Sequence, residues 1–335
     1  MKDLTINLFF HCNAKCIFCV VGLTGGSRAT GGLTLEETKQ ALLEGYHKGC
    51  REVTFSGGEP TIYPGLLQAI RYAKDLGYKS TEIKTNGIRL SSFDYTKQLV
   101  DAGLDSFSIS IHGPTPLVHD GVVGVTRAFD RAVQGATFVK QLGKNLSLPT
   151  CIQQDNFKYF PETIELLLSL SPDLCLPTFI EPSGSAAFRF DDVVPWYSEV
   201  IPYLNEGITL LRRQNKVAWA LHGFPMCMLV GNEQYSFDLF RRQECVGRQN
   251  IDYFSFEKNT YRAKGMQCKE CLFETVCGGP WKEYVRHRGW GEFSPIQDKT
   301  PSEVIPLSRL ARSVLVAEAP LELVTSITPG QRGSL

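Results

Sequence analysis

The chain has 335 residues, 43% hydrophobic and 21% charged, the composition of a packed protein with one large domain or a large and a small one. Its 35 basic and 35 acidic residues cancel, which argues against a nucleic-acid binder. Apolar runs such as 4–10 and 164–170 are too short to span a bilayer, and no signal-peptide pattern opens the chain, so a cytoplasmic protein without a membrane partner is expected.

The run 4–10 is apolar and β-prone. After a glycine-rich stretch at 22–32, Thr34 and Glu37 have the spacing of a helix capping box. A strand is expected over 51–55, ended by Ser56, Gly57 and Gly58, and the next helix carries Leu66, Ile70 and Ala73 on one face. Strands at 80–84 and 106–111 flank a helix at 92–102. Phe129, Ala132, Val133 and Ala136 mark another helix face, with Gly143 as its stop. Strands at 146–152 and 174–180 enclose a helix over 161–170. Six consecutive β-α units imply a parallel sheet, wound by right-handed crossovers into an open or closed barrel. Ligands then sit at the carboxyl ends of the strands.

The residues just past each strand are therefore the candidate site residues. After the first come Cys12, Cys16 and Cys19, spaced C-x3-C-x2-C. Three thiolates on one loop can hold three irons of a cubane and leave the fourth open. A zinc site with a distant fourth ligand, or chance clustering, is the plainer alternative. After the second strand comes Ser56-Gly57-Gly58-Glu59-Pro60, whose glycines would let backbone approach a ligand closely. Asn86 comes after the third strand. Ser108, Ser110 and His112 alternate at the fourth and share the barrel interior if Phe107, Ile109 and Ile111 face the helices. His112 taken singly reads as a satisfied structural histidine. Pro182 and Gly184 lie in the turn after the sixth strand.

The three cysteines, with an aromatic residue before the last, the Gly57-Gly58-Glu59 turn and Ser110 together resemble the radical S-adenosylmethionine (radical SAM) superfamily over residues 4–186. The resemblance implies a partial (β/α)6 TIM-type barrel in which Cys12, Cys16 and Cys19 bind a [4Fe–4S] cluster whose open iron is chelated by S-adenosylmethionine. It further implies that Gly57, Gly58 and Glu59 meet the methionine amino group. Asn86 and Ser110 would meet the ribose or carboxylate, and the turn of Pro182 and Gly184 the adenosine end. The family's glycine-rich signature on strand five is not evident in 148–156. The chemistry implied is reductive cleavage of S-adenosylmethionine to a 5′-deoxyadenosyl radical that abstracts a substrate hydrogen.

The eleven cysteines are odd in number and bunched, which in a chain without an export signal reads as metal or iron–sulfur ligation before disulfides. Cys227, Cys245, Cys268, Cys271 and Cys277 form a second group, C-x17-C-x22-C-x2-C-x5-C. Its spacing also matches a zinc ribbon. The group resembles the twitch or SPASM-like auxiliary-cluster domain of radical SAM enzymes, which implies a second [4Fe–4S] cluster. Cys227, Cys245, Cys268 and Cys271 are its expected ligands, with Cys277 a substitute or a free thiol. Cys50, Cys151 and Cys175 read as buried inert thiols.

The expected organisation is a barrel over 1–190, a linking helix and strand over 191–220, the auxiliary domain over 221–299 and a C-terminal extension over 300–335. The expected function is that of a radical SAM oxidoreductase that passes an electron to the auxiliary cluster and draws on an external donor such as flavodoxin or ferredoxin. Its substrate would be a peptide or a small polyol or amino sugar. The first strand begins almost at the start of the chain, so no leader-binding domain is expected, which counts mildly against the peptide, although a separate protein could supply that recognition. The rival is a non-catalytic zinc or iron–sulfur protein whose metals act as folding staples. It leaves the glycine turn and the polar strand ends unexplained.

Overall fold

The computed structural model describes residues 2–20, 31–214, 216–240, 244–246 and 261–297. Most of the glycine-rich stretch and the C-terminal extension lie outside them. β1 (Lys2–Asn7) and β2 (Cys50–Ser56) enclose α1 (Leu35–His47), whose capping box pairs the Thr34 side chain with the Glu37 backbone and the Glu37 carboxylate with the Thr34 backbone. α2 (Leu66–Leu76) turns at Gly77, in the left-handed region at φ 95°, into β3 (Ser80–Thr85). α3 (Phe93–Asp101), capped by Ser92, leads to β4 (Ser106–Ile109).

Two helices come after β4 where one was expected. α4 (Pro116–Val123) starts with proline in its first turn and stops at Gly124 (φ 68°) before α5 (Ala128–Gln141) begins. Then come β5 (Asn145–Ile152), α6 (Phe160–Ser169) and β6 (Leu174–Phe179). Beyond them lie α7 (Ser185–Phe188), α8 (Phe190–Val193), α9 (Tyr197–Arg212), β7 (Ala218–Trp219), β8 (Glu244–Val246) and α10 (Lys282–Arg288).

The strands form one parallel sheet in the order β7-β6-β5-β4-β3-β2-β1-β8. Six β-α units thus make the expected partial barrel, and two short strands extend it. β7 extends the β6 edge, and Cys245 on β8 lies opposite Leu4 of β1. The helix-facing rows are apolar and fully buried: Leu4 and Ile6, Val53 and Phe55, Ile83, Phe107 and Ile109. Alternation sends the intervening residues to the barrel interior.

An aromatic cluster joins the C-terminal segment to the barrel. Phe179, at the end of β6, stacks on Tyr197 with ring centroids 3.8 Å apart and meets Phe224 and Tyr284 edge-on. Tyr284 of α10 is fully buried and accepts the Tyr197 N–H at 3.1 Å, and Phe293 closes the cluster. Truncating Phe179 removes a buried ring with three aromatic neighbours in one connected group. Phe179→Ala is expected to cost about 3–5 kcal/mol in urea unfolding. A loss below ~1 kcal/mol would show that the cluster does not hold the segment to the barrel.

Candidate functional site

Residues 9–20, which carry Cys12, Cys16 and Cys19, are gripped from three sides at the carboxyl ends of the strands. From the β2 turn, the Gly58 and Glu59 N–H groups donate to the Phe9 and His11 carbonyls at 2.6 and 2.8 Å. From α4, the Val123 and Val122 carbonyls accept the Lys15 and Ile17 N–H groups at 2.8 and 3.1 Å. From the turn after β6, the Ser185 N–H donates to the Cys19 carbonyl at 2.9 Å. The glycines explain how the backbones come this close. A Cβ on Gly58 would lie 2.0 Å from the His11 oxygen, and one on Gly184 would lie 2.6 Å from the Cys19 oxygen. Gly57 also has φ 130°, a left-handed-side conformation that disfavours a side chain. Gly57 and Gly58 thus admit the cysteine loop to the turn.

The three thiols lie within electrostatic reach of one another. Burial, then Cys19 and Cys12, pushes the Cys16 thiol up to about 12; burial also raises Cys12. Bare, Cys12 and Cys16 stay protonated, and coordination to a metal is what would deprotonate them. The Cys12 sulfur is approached by the Ala14 N–H at 3.4 Å and the Asn86 side-chain amide at 3.8 Å. That amide also donates to Asn13 at 2.7 Å, so Asn86 already belongs to the loop's scaffold.

Glu59 is 1% exposed. Its Oε1 accepts from Thr61 N–H and Oγ1 and from Thr85 Oγ1, at 3.0, 2.6 and 2.6 Å, and its Oε2 accepts the Asn86 N–H at 2.8 Å. The carboxylate thus ties the end of β2 to the end of β3, with room on Oε2 for one more donor. Burial raises its proton affinity and the hydrogen bonds lower it again. Ser110 is half-buried at the end of β4, with its N–H on the Thr85 carbonyl at 3.1 Å. Pro182 is buried beside Gly184 in the turn that meets Cys19.

Below this rim the barrel interior is polar. Around it run Asp3, Thr5 and Asn7 of β1, then Glu52, Thr54 and Ser56, then Glu82 and Lys84, then Ser106 and Ser108. Register puts Thr5, Thr54, Glu82 and Ser106 in one row, and the Thr54 hydroxyl donates to Glu82 at 3.0 Å. A filled barrel stacks bulky branched side chains here. This one has hydrophilic, half-exposed walls and an exposed Lys84.

Cys151 was not foreseen as part of the mouth. Cys50 and Cys175 are fully buried as expected, but Cys151 is half-buried at the end of β5, close enough to Cys16 for each anion to disfavour the other. The signal was available in its position on the interior-facing side of a strand end. His112 is a structural histidine: its Nδ1 accepts the Cys151 N–H at 3.1 Å and its own N–H donates to His119 Nδ1 at 3.0 Å.

Four members of the second cysteine group also converge. Cys227, Cys268, Cys271 and Cys277 line a single cavity, and the charges of the other three act on Cys227, which burial raises to about 12. Cys245, one of the four expected ligands, has its backbone in β8 of the barrel sheet, opposite Leu4 of β1. Among the described residues no three Cys, His, Asp or Glu side chains close in tightly enough for a single metal ion.

The sequence profile of the Radical SAM superfamily matches residues 6–167. A probable GTP 3′,8-cyclase of Sulfolobus acidocaldarius is 30% identical over 217 residues, 64% of this chain and 67% of that protein. The chain belongs to the radical SAM superfamily. Membership brings a [4Fe–4S] cluster and S-adenosylmethionine as cofactors. An AdoMet-dependent heme synthase of Oleidesulfovibrio alaskensis is 29% identical over 196 residues, 56% of this chain and 50% of that protein. The chain thus spans half to two thirds of the length of these curated radical SAM relatives. The crystal structure of Streptococcus suis SuiB bound to precursor peptide SuiA shares the fold, with TM-score 0.62 at 16% identity over 88% of this chain and 74% of that one. Among the described residues no helix is long and apolar enough to cross a membrane.

The geometry of the mouth can be tested in two ways. Gly58→Ala is expected to displace the cysteine loop and to lose the roughly four iron atoms of a cubane held there after anaerobic reconstitution. Gly121→Ala, where a Cβ meets nothing within 4 Å, is the control that keeps it all. The second test concerns pH. Burial holds His112 at about 3 and His119 at about 4, against an ordinary 6.5. Below 6.5 the unfolded chain takes up two protons that the fold refuses, so stability falls from about pH 6.5 towards pH 4. The slope approaches about 2.7 kcal/mol per pH unit, and above pH 6.5 these groups contribute none. Urea unfolding at pH 7, 6 and 5 measures it. His119→Asn should halve the slope, and an identical slope in that variant would contradict the assignment.

Proposed function

We propose that the chain is a radical SAM oxidoreductase with two iron–sulfur centres, one held by Cys12, Cys16 and Cys19 and the other by Cys227, Cys268, Cys271 and Cys277. The observation that carries the reading is the three-sided grip on residues 9–20, which presents three thiols and no fourth cysteine from the same loop at the strand ends. Three thiolates suit a cluster with one iron open to a ligand, and four suit a closed cluster. When bound, the first centre with S-adenosylmethionine supplies a 5′-deoxyadenosyl radical able to abstract a substrate hydrogen.

The protein's own part is placement. Asn86 and Glu59 fix the loop and the neighbouring strand ends. The Gly57-Gly58-Glu59 turn, Ser110 and the turn of Pro182 and Gly184 line the rim where S-adenosylmethionine would lie. The polar lumen receives substrate, and α10 with its aromatic partners secures the second centre beside the mouth. Three interior carboxylates, Asp3, Glu52 and Glu82, stand against one Lys84. That balance favours a hydroxylated or cationic substrate, such as a polyol, an amino sugar or a polar peptide segment. It disfavours a triphosphate like that of the GTP in the Sulfolobus protein's name. A fully held auxiliary cluster fits a role as electron acceptor, with flavodoxin or ferredoxin as external donor and a separate leader-binding protein if the substrate is a peptide.

The test is anaerobic reconstitution and then dithionite reduction with S-adenosylmethionine. About eight irons per chain and formation of 5′-deoxyadenosine are expected, as two four-iron cubanes require. The Cys12/Cys16/Cys19 triple-alanine variant should keep about four irons and form no 5′-deoxyadenosine. Zinc in place of iron, or cleavage that survives the triple substitution, would overturn the reading.

A further inference from the structure

Arg262 and Asp238 are buried charges that the chemistry described so far does not use. Their side chains are 8% and 4% exposed, and Arg262 Nη2 lies 3.5 Å from Asp238 Oδ2. A buried ion pair needs further hydrogen bonds to offset desolvation, and here those bonds run to one turn. Asp238 Oδ2 accepts the Gly278 N–H at 2.7 Å, and Arg262 Nε donates to the Gly279 carbonyl. The guanidinium also lies 4.6 Å from the Trp281 ring. Antiparallel bonds from Ala263 N–H to the Pro280 carbonyl (2.9 Å) and from Lys282 N–H to the Tyr261 carbonyl (2.8 Å) fix the strand carrying Arg262 against the same turn. Gly279 at φ 80° permits this approach, since a Cβ there would lie 1.9 Å from the Ala263 oxygen.

The turn so held is Cys277-Gly278-Gly279. Its Cys277 sulfur receives two backbone N–H groups, from Gly279 at 3.3 Å and from Met226 at 3.4 Å. The Arg262 charge also reaches this sulfur and the Glu181 carboxylate beyond the end of β6. Hydrogen bonds to a ligating sulfur and a nearby cation both favour the more negative, reduced form of an iron–sulfur cluster.

We propose that Arg262 is a positioning residue for Cys277 which, with Asp238 as its counter-charge, sets the reduction potential of the metal centre held by Cys227, Cys268, Cys271 and Cys277. The proposal rests on the reading of those four cysteines as an auxiliary cluster site. Arg262 holds the turn through Gly279 and supplies positive charge, while Asp238 holds it through Gly278 and partly cancels that charge. Removing one or the other therefore moves the potential in opposite directions.

The test uses the full chain with Cys12, Cys16 and Cys19 replaced by alanine, so that only the second centre can fill. It compares the iron content and the EPR-monitored midpoint potential of this parent with those of R262Q, R262K and D238N versions. The parent should hold about four irons. R262Q should lower the reduction equilibrium constant about tenfold, ~59 mV for one electron. D238N should raise it, and R262K should stay near the parent. Should R262Q fail to hold iron, retention by R262K together with a raised D238N potential still upholds the role. Coincident potentials in R262Q, D238N and the parent, or loss of iron from all three variants alike, would reduce the pair to a structural staple and overturn the proposal. A parent that binds no iron would overturn the auxiliary-cluster reading, and the proposal with it.

Discussion

Backbone-to-backbone approach at the strand ends is the constraint on which the mouth of this barrel depends. The loop after β1 has little packing of its own: Cys12 is exposed, and Cys16 and Cys19 are only partly buried. It is shaped by three neighbours that meet its peptide groups directly, the β2 turn, the end of α4 and the turn after β6. Each contact needs a residue without a side chain where the chains cross, and Gly57, Gly58, Gly124 and Gly184 supply them. Rigidity matters because the three sulfurs, once ionised, repel one another. Without an imposed geometry a free loop would splay them.

The fold was largely legible because barrel strands write their two faces in alternation. From Ser106 to His112 the residues switch strictly between polar and apolar, and every apolar one is fully buried. The helix boundaries at Thr34, Ser92 and Gly143 could be read from capping chemistry. The C-x3-C-x2-C spacing pointed to the right loop because its ligands are local in sequence. The rest depended on tertiary contacts. Nothing in the spacing separates Cys245 from Cys277, whereas in the fold the turn carrying Cys277 is held by Arg262 and Asp238 and the strand carrying Cys245 pairs with β1. The glycines after β2 were visible, but their partner was not: an absent Cβ declares that something comes close and is silent about what. α4 was missed because its short stretch, bounded by Gly124, contains Gly121 and has proline in the first turn, a weak helical signal by propensity.

The two cysteine sites are built on different plans. The first hangs from strand ends and opens on a hydrophilic lumen. The second is enclosed by chain segments far apart in sequence and is fastened by buried rings and one ion pair. Phe179 and Tyr197 belong to the barrel side of that join, and Tyr284 and Phe293 to the other. Mechanical continuity between the sites therefore runs through stiff, close-packed aromatic side chains. Separation between the two groups of cysteines would therefore vary little.

The pairing of β8 with β1 bears on how the chain is made. Strands β1 to β7 lie in the sheet in the order of their synthesis, so each can dock on its predecessor as it leaves the ribosome. β1 is the exception, because one flank is covered only when residues 244–246 emerge. At ordinary elongation rates that leaves an uncovered edge on the nascent protein for roughly 10–50 s. Asp3 and Asn7 on this strand place charge and polarity there, the device by which exposed edges discourage association with other chains.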